Sequence, residues 1–285
     1  MIKNLNYFLQ SLIIYLLFFV GKIIGLNASR KLFSFIFLMI APKFKSSDII
    51  KKNLRIFSTS LSLKEEKEII SNMWKNYGMT FIEYMYLKFF RKSNSHIVIK
   101  GEKNLHNLIH NKTSAVFVSG HFANYELMSM EITKRDIKLA TIYRPLNNFF
   151  LNPLMESLRK KYVCKNQIKK GINGVRDTIQ HIKKGRSIAL MIDQRVSEGE
   201  LVAFFNKEAL TTTLPAQLAL KFNLKIVPVF IQRNQNNTFK IEFQKQINPE
   251  DFNTKNEITK ILNKTLEKMI NRNPNQWIWT HNRWK

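Results

Sequence analysis

The chain has 285 residues, 45% of them hydrophobic, enough for one large α/β core and too apolar for a globally disordered polymer. Lys and Arg number 46 against 20 Asp and Glu, a formal charge of +26, a balance that suits an anionic partner such as anionic lipid, an acidic protein or nucleic acid. The single cysteine, Cys164, excludes an intrachain disulfide and a thiolate metal cluster, and the lack of a dense Arg/Lys tract, zinc spacing or RNA-binding aromatic motif argues against nucleic acid.

In chain order, the first feature is Tyr7–Leu26, almost wholly apolar with Lys22 as its one charge. As a helix it would span roughly 30 Å, about one bilayer core. No small-residue cleavage site follows, which disfavours a signal peptide. Basic residues collect on its C-terminal side (Lys22, Arg30, Lys31, Lys43 and Lys45) with Lys3 alone before it. That asymmetry predicts a single-pass membrane anchor with the main domain on the cytoplasmic face. Leu32–Pro42 is apolar but too short to span, and is assigned to the interface. The division expected is therefore 1–45 for the anchor and interfacial segment and 46–285 for one catalytic-sized domain.

From Lys64 to Arg91 apolar residues recur at three- and four-residue intervals, which predicts a helix. Beyond it, strand-like runs starting at His96, Ser114, Ile137, Ser187, Glu200, Lys225 and Phe239 alternate with helical segments. The helical segments are Asn124–Lys134, Phe150–Lys161, Ile172–Lys183, Leu214–Phe222 and Thr254–Asn271. This alternation predicts an α/β fold around a largely parallel central sheet flanked by helices. Ligands of such sheets sit beyond the carboxyl ends of the strands. Those ends deliver Gly120-His121, Tyr143-Arg144-Pro145 and Asp193-Gln194-Arg195.

His121 and Glu126 stand five residues apart, about 140° around a regular helix, so they cannot meet from within one. With His121 ahead of the helix, its ring can fold back over the first turn. There Glu126 would accept from one ring nitrogen and leave the other as a base. Taken alone, that spacing is weak evidence, because a histidine at a strand end commonly just hydrogen-bonds. Arg144 offers a planar fork for phosphate or a structural ion pair. Asp193 either orients Arg144 or the acceptor, or caps a turn. Thr211, Thr212 and Thr213 precede a helix, where hydroxyls and amides can bind anions, but are read as ordinary N-caps in preference to an anion site.

The blocks "SGHFANYELM", "IYRPLNN", "DQRVSEGELVAFFNKEALTTTLPAQLAL", "KIVPVF" and "PNQWIWTHNRWK" together resemble the bacterial lipid A biosynthesis (late, or secondary) acyltransferases. The resemblance covers essentially the whole chain, and its ordered combination is far more specific than any single block. It implies the lysophospholipid acyltransferase superfamily, whose H-x-x-x-x-[DE] signature His121 and Glu126 match as the catalytic pair. Arg144, Asp193 and Gln194 match polar positions that contact the substrate. The implied donor is an acyl thioester on acyl carrier protein, or on CoA. The implied acceptor is a hydroxyl of a phosphorylated glycolipid, and neither metal nor organic cofactor is implied. Two departures stand out: Asn206 where the family commonly has glycine, and Leu214 where it often has glycine before the proline. The second puts any inference about acyl chain length in doubt. An acyltransferase for another glycolipid or a lysophospholipid would keep all these residues. A basic membrane scaffold or a nucleic-acid binder is the non-enzymatic alternative.

Overall fold

The computed structural model describes residues 2–285. The N-terminal part is helical: α1 (Ile2–Ile24), α2 (Leu26–Phe44), α3 (Ser47–Phe57), α4 (Leu63–Glu83) and α5 (Leu87–Lys92). Then come β1 (Ile97–Lys100), α6 (His106–His110), β2 (Ala115–Ser119), α7 (Glu126–Lys134), β3 (Leu139–Tyr143), α8 (Asn152–Leu158), β4 (Asn166–Lys169), α9 (Ile172–Lys183) and β5 (Ser187–Met191). The chain ends with β6 (Glu200–Phe204), β7 (Lys207–Thr211), α10 (Leu214–Phe222), β8 (Lys225–Arg233), β9 (Phe239–Phe243) and α11 (Lys255–Arg272).

Seven strands form one sheet in the order β1-β9-β8-β2-β5-β3-β4, parallel except for the β8–β9 pair. β6 and β7 form a separate antiparallel hairpin. As the alternation predicts, the central strands are covered on both faces: Val116 and Val118 of β2 enter one core cluster, Ala115 and Phe117 the other. Continuous apolar strands are what double coverage demands. The helix expected over Lys64–Arg91 is α4 and α5, joined by a tighter turn at Tyr84–Tyr86. A Ser62–Glu65 capping box starts it, satisfying amide donors that a helix start leaves open.

The register sets the site. Ser119 of β2 lies beside Met191 of β5, and Ile192 N–H donates to Ser119 O at 2.9 Å. Their continuations, His121 and Asp193, therefore emerge side by side. On the next strands Tyr143 of β3 pairs with Lys169 of β4, so Arg144 and Lys170 emerge together farther along the same rim.

The N-terminal helices pack on the rest of the chain. Gly78 of α4 lets α2 approach closely: a Cβ there would lie 2.2 Å from the Phe33 carbonyl oxygen. Arg30 of α2 and Arg233 at the end of β8 both grip the buried Glu83, at 2.6 and 2.5 Å. Helix α1 is long and apolar enough to cross a membrane. It lies along the domain, held by Asn148 Nδ2 to Tyr7 O (2.8 Å), Tyr15 Oη to Phe150 O (2.7 Å), Tyr86 Oη to Gly21 O (2.6 Å) and Lys22 Nζ to Met85 O (2.9 Å). Ser11 and Phe18 face inward, whereas Leu5, Leu9, Leu12, Leu16, Phe19 and Ile23 face outward and are exposed.

Candidate active site

Gly120 ends β2 in a tight turn, with Phe122 N–H donating to Gly120 O at 2.8 Å. A side chain here would crowd the site, since a Cβ would lie 2.8 Å from the Phe122 ring and 3.3 Å from Asp193 Oδ2. Ala123 then adopts φ +44°, an uncommon conformation for a residue with a side chain. It is pinned by Thr80 Oγ1 donating to its carbonyl (2.9 Å) and by its own N–H on Gln276 O (3.1 Å). The loop thus carries His121 toward β5 and starts α7 at Glu126.

The His121 ring meets Asp193. Nδ1 lies 2.8 Å from Asp193 Oδ1, the His121 backbone N–H donates to Oδ2 at 2.8 Å, and Trp277 Nε1–H donates to Oδ2 at 2.9 Å. Asp193 is buried. Burial alone would favour its neutral form, but the His121 ring and these donors outweigh that and hold its carboxyl at about 2. Burial likewise opposes protonation of His121, and Asp193 overrides it, so the imidazole sits above its ordinary value. An ionised partner at Nδ1 makes that nitrogen the donor and leaves Nε2 with its lone pair. The ring is only 17% exposed, and the edge of Tyr125 stands 4.7 Å from it, centroid to centroid.

The expected hydrogen bond from His121 to Glu126 is not formed. Glu126 Oε1 instead accepts from Arg159 Nε at 2.8 Å and from the Tyr84 hydroxyl, with Arg159 Nη2 2.7 Å from the same oxygen in the ion pair. The reason is topological. β5 is hydrogen-bonded beside β2 and delivers Asp193 straight to the ring, while α7 turns Glu126 away toward the single π-helical turn Arg159–Val163. Glu126 still bears on His121 through its charge, which favours the imidazolium.

The whole chain, residues 1–285, matches the model of the family described as bacterial lipid A biosynthesis acyltransferase. The chain belongs to that family. It is 24% identical to the lipid A biosynthesis palmitoleoyltransferase of Escherichia coli (strain K12) over 257 residues, 87% of this chain and 81% of the relative. It is 21% identical to lipid A biosynthesis acyltransferase 2 of Shigella flexneri, over 80% of this chain and 74% of that one. Among solved structures it is similar to the 1-acyl-sn-glycerophosphate acyltransferase PlsC from Thermotoga maritima. That likeness has a TM-score of 0.43 at 15% identity, covering 89% of this chain and 100% of that one.

In this acyltransferase the other expected residues take varied positions. Asp193 has no hydrogen bond to Arg144 among the described residues; its carboxylate instead takes the His121 ring, the His121 backbone N–H and the Trp277 indole N–H. Arg144 is exposed and makes no ion pair among the described residues; its one hydrogen bond, Nη2 to Asn147 Oδ1, is 3.5 Å long. It lines a cleft of about 550 Å³ with Lys170, Arg195 and His281. Gln194 is half-buried next to Asp193, with no side-chain hydrogen bond among the described residues. The threonines are used locally: Thr212 Oγ1 accepts from Leu214 N–H (3.3 Å), Thr213 Oγ1 from Gln217 (2.9 Å), and Thr211 Oγ1 from Arg283 (2.7 Å). Sequence reasoning missed Arg159, Tyr84 and Trp277. For Trp277 the available signal was the aromatic C-terminal block: Trp277, Trp279 and Trp284 are all buried, and Trp277 also donates to Asp193.

Proposed function

We propose that this acyltransferase moves a fatty acyl chain from an acyl thioester, on acyl carrier protein or CoA, to a hydroxyl of a phosphorylated lipid A precursor. What carries the reading is His121, tied at Nδ1 to an ionised, buried Asp193 and with Nε2 unpartnered among the described residues, at the carboxyl edge of the sheet's parallel strands. Nε2 takes the proton of the acceptor hydroxyl as its oxygen attacks the thioester carbonyl. Asp193 stabilises the imidazolium so formed. The tetrahedral oxyanion collapses, the C–S bond breaks, and the leaving thiolate is protonated by the imidazolium. Glu126 acts through Arg159 and through its charge. The exposed apolar side of α1 sits in the inner leaflet, and the +26 charge suits both anionic lipid and an acidic donor carrier.

His121→Ala in the purified full-length protein should cut turnover by at least about two orders of magnitude. Membrane association and melting temperature should stay as in wild type. Near-normal turnover at saturating substrate would remove His121 from the mechanism. Mass spectrometry of lipid A with and without the gene identifies the acceptor and chain length.

A further inference from the structure

The loop that carries His121 is held in a conformation it would not adopt alone. Ala123, two residues on, sits at φ +44°, a left-handed backbone that a residue with a Cβ avoids unless its surroundings enforce it. Three contacts enforce it here. The Ala123 carbonyl accepts from Thr80 Oγ1 at 2.9 Å, the Ala123 N–H donates to Gln276 O at 3.1 Å, and Asn124 Nδ2 donates to Glu83 Oε2 at 2.9 Å.

All three anchors meet at Arg233, the last residue of β8. Its guanidinium donates to Glu83 through Nη1 (2.5 Å) and Nη2 (3.0 Å), and to Asn76 Oδ1 through Nε (3.0 Å). Nη2 also donates to Thr80 Oγ1 at 3.3 Å. A cationic N–H on that oxygen's lone pair turns the hydroxyl proton the other way, toward Ala123. The Arg233 main chain holds Gln276 as well: its N–H donates to Oε1 at 2.7 Å and its carbonyl accepts from Nε2 at 2.8 Å. Arg233 and Thr80 are both buried, so water supplies no substitute partner. An ion pair with Glu83 explains two of these bonds, but not a grip on both sides of Ala123.

We infer that Arg233 and Thr80 are positioning residues for acyl transfer, which together hold Ala123 in the left-handed conformation that sets His121 against Asp193. Their effect on transfer rests on the reading of His121 as the base, whereas the clamp on the loop stands on the geometry alone.

The test compares full-length variants in detergent, each assayed well below its melting temperature. Thr80→Val keeps the shape and loses the hydroxyl. Its kcat should fall about tenfold or more, the scale of one hydrogen bond, with KM for both substrates within about twofold of wild type. Thr80→Ser returns the hydroxyl and should recover most of kcat. Arg233→Lys keeps a cation beside Glu83 without the fork and should lower kcat similarly. The double variant should be no slower than the slower single, because both changes act through one carbonyl. Thr178→Val, at a buried threonine bonded within α9, should keep the wild-type kcat.

NMR of the His121 ring, assigned by the signal lost in His121→Ala, reads the clamp without turnover. Asp193 and Glu126 favour the charged ring and Arg159 opposes it. A ring that slips from Asp193 in Thr80→Val should therefore titrate about one unit lower. Wild-type kcat and ring titration in Thr80→Val overturn the inference, as does failure of Thr80→Ser to recover kcat. Losses that multiply in the double variant remove Arg233 from the clamp. If Arg233→Lys does not fold, the two Thr80 variants decide alone. A ring that shifts as expected, in a protein whose His121→Ala variant still transfers acyl groups normally, refutes His121 as the base and leaves the clamp in place.

Discussion

Asp193 separates what spacing along the chain can reveal from what folding adds. The strand-end rule located His121, Arg144 and Asp193 on one rim, because each follows an apolar run. It did not say which acid meets the imidazole. Glu126 is five residues from His121 and Asp193 is 72 away, so the choice depends on strand order, which local pattern does not encode. Asp193→Asn should therefore strike the base directly. In the proposed mechanism neutral His121 is the active form, and Asp193 raises its value, so the acidic limb of kcat/KM should move to lower pH in the variant while the plateau falls by two orders of magnitude or more. A limb that stays in place would mean that Asp193 does not set the ring. The same change bears on stability. With the Asp193 carboxyl depressed to about 2, its contribution is present above the unfolded value near 4 and is lost as pH falls from about 4 to about 2. That contribution is on the order of 2 kcal/mol, so wild type should lose more stability over this window than Asp193→Asn does.

Among the elements, those with a strong period or a continuous apolar run were readable, and those whose identity depends on a neighbour were not. Residues 172–183 and 214–222 were bounded correctly because Gly171 before α9 and αL Asn223 after α10 punctuate them. β4 (NQIK) went unseen, since an edge strand with one buried residue, Ile168, has no apolar run to show. β7 is half of a hairpin whose turn, Phe205-Asn206 at positive φ, lacks the expected glycine. The π-helical turn after α8 has no period of its own and yet supplies Arg159. Arg159, Glu126 and Tyr84 tie that turn, α7 and the end of α4 together. Glu126→Gln should strip a nearly buried guanidinium of its counter-charge and cost about 3 kcal/mol, together with a loss of activity. Calorimetry alongside kinetics checks this, and an unchanged melting point would show the clamp to be dispensable.

At the scale of the whole molecule, the N-terminal 45 residues and the sheet share one interior. Phe18 and Phe33 lie in the same core cluster as Ile82 and Val229, and Arg30 reaches Glu83, which also receives Asn124 Nδ2 from the His121 loop at 2.9 Å. A chain starting at residue 46 should unroof that cluster and halve the countercharge on a buried carboxylate. It should melt well below wild type and self-associate, as sedimentation would show; a stable monomer would mean that the helices are an appendage. The clasp of Asn148 and Phe150 on α1 follows Arg144 by only a few residues. With the outer face of α1 in lipid as proposed, that clasp holds the cleft at a fixed height over the headgroups. A lipid acceptor then reaches His121 by lateral diffusion, a search in two dimensions, and only the donor has to arrive from bulk solution.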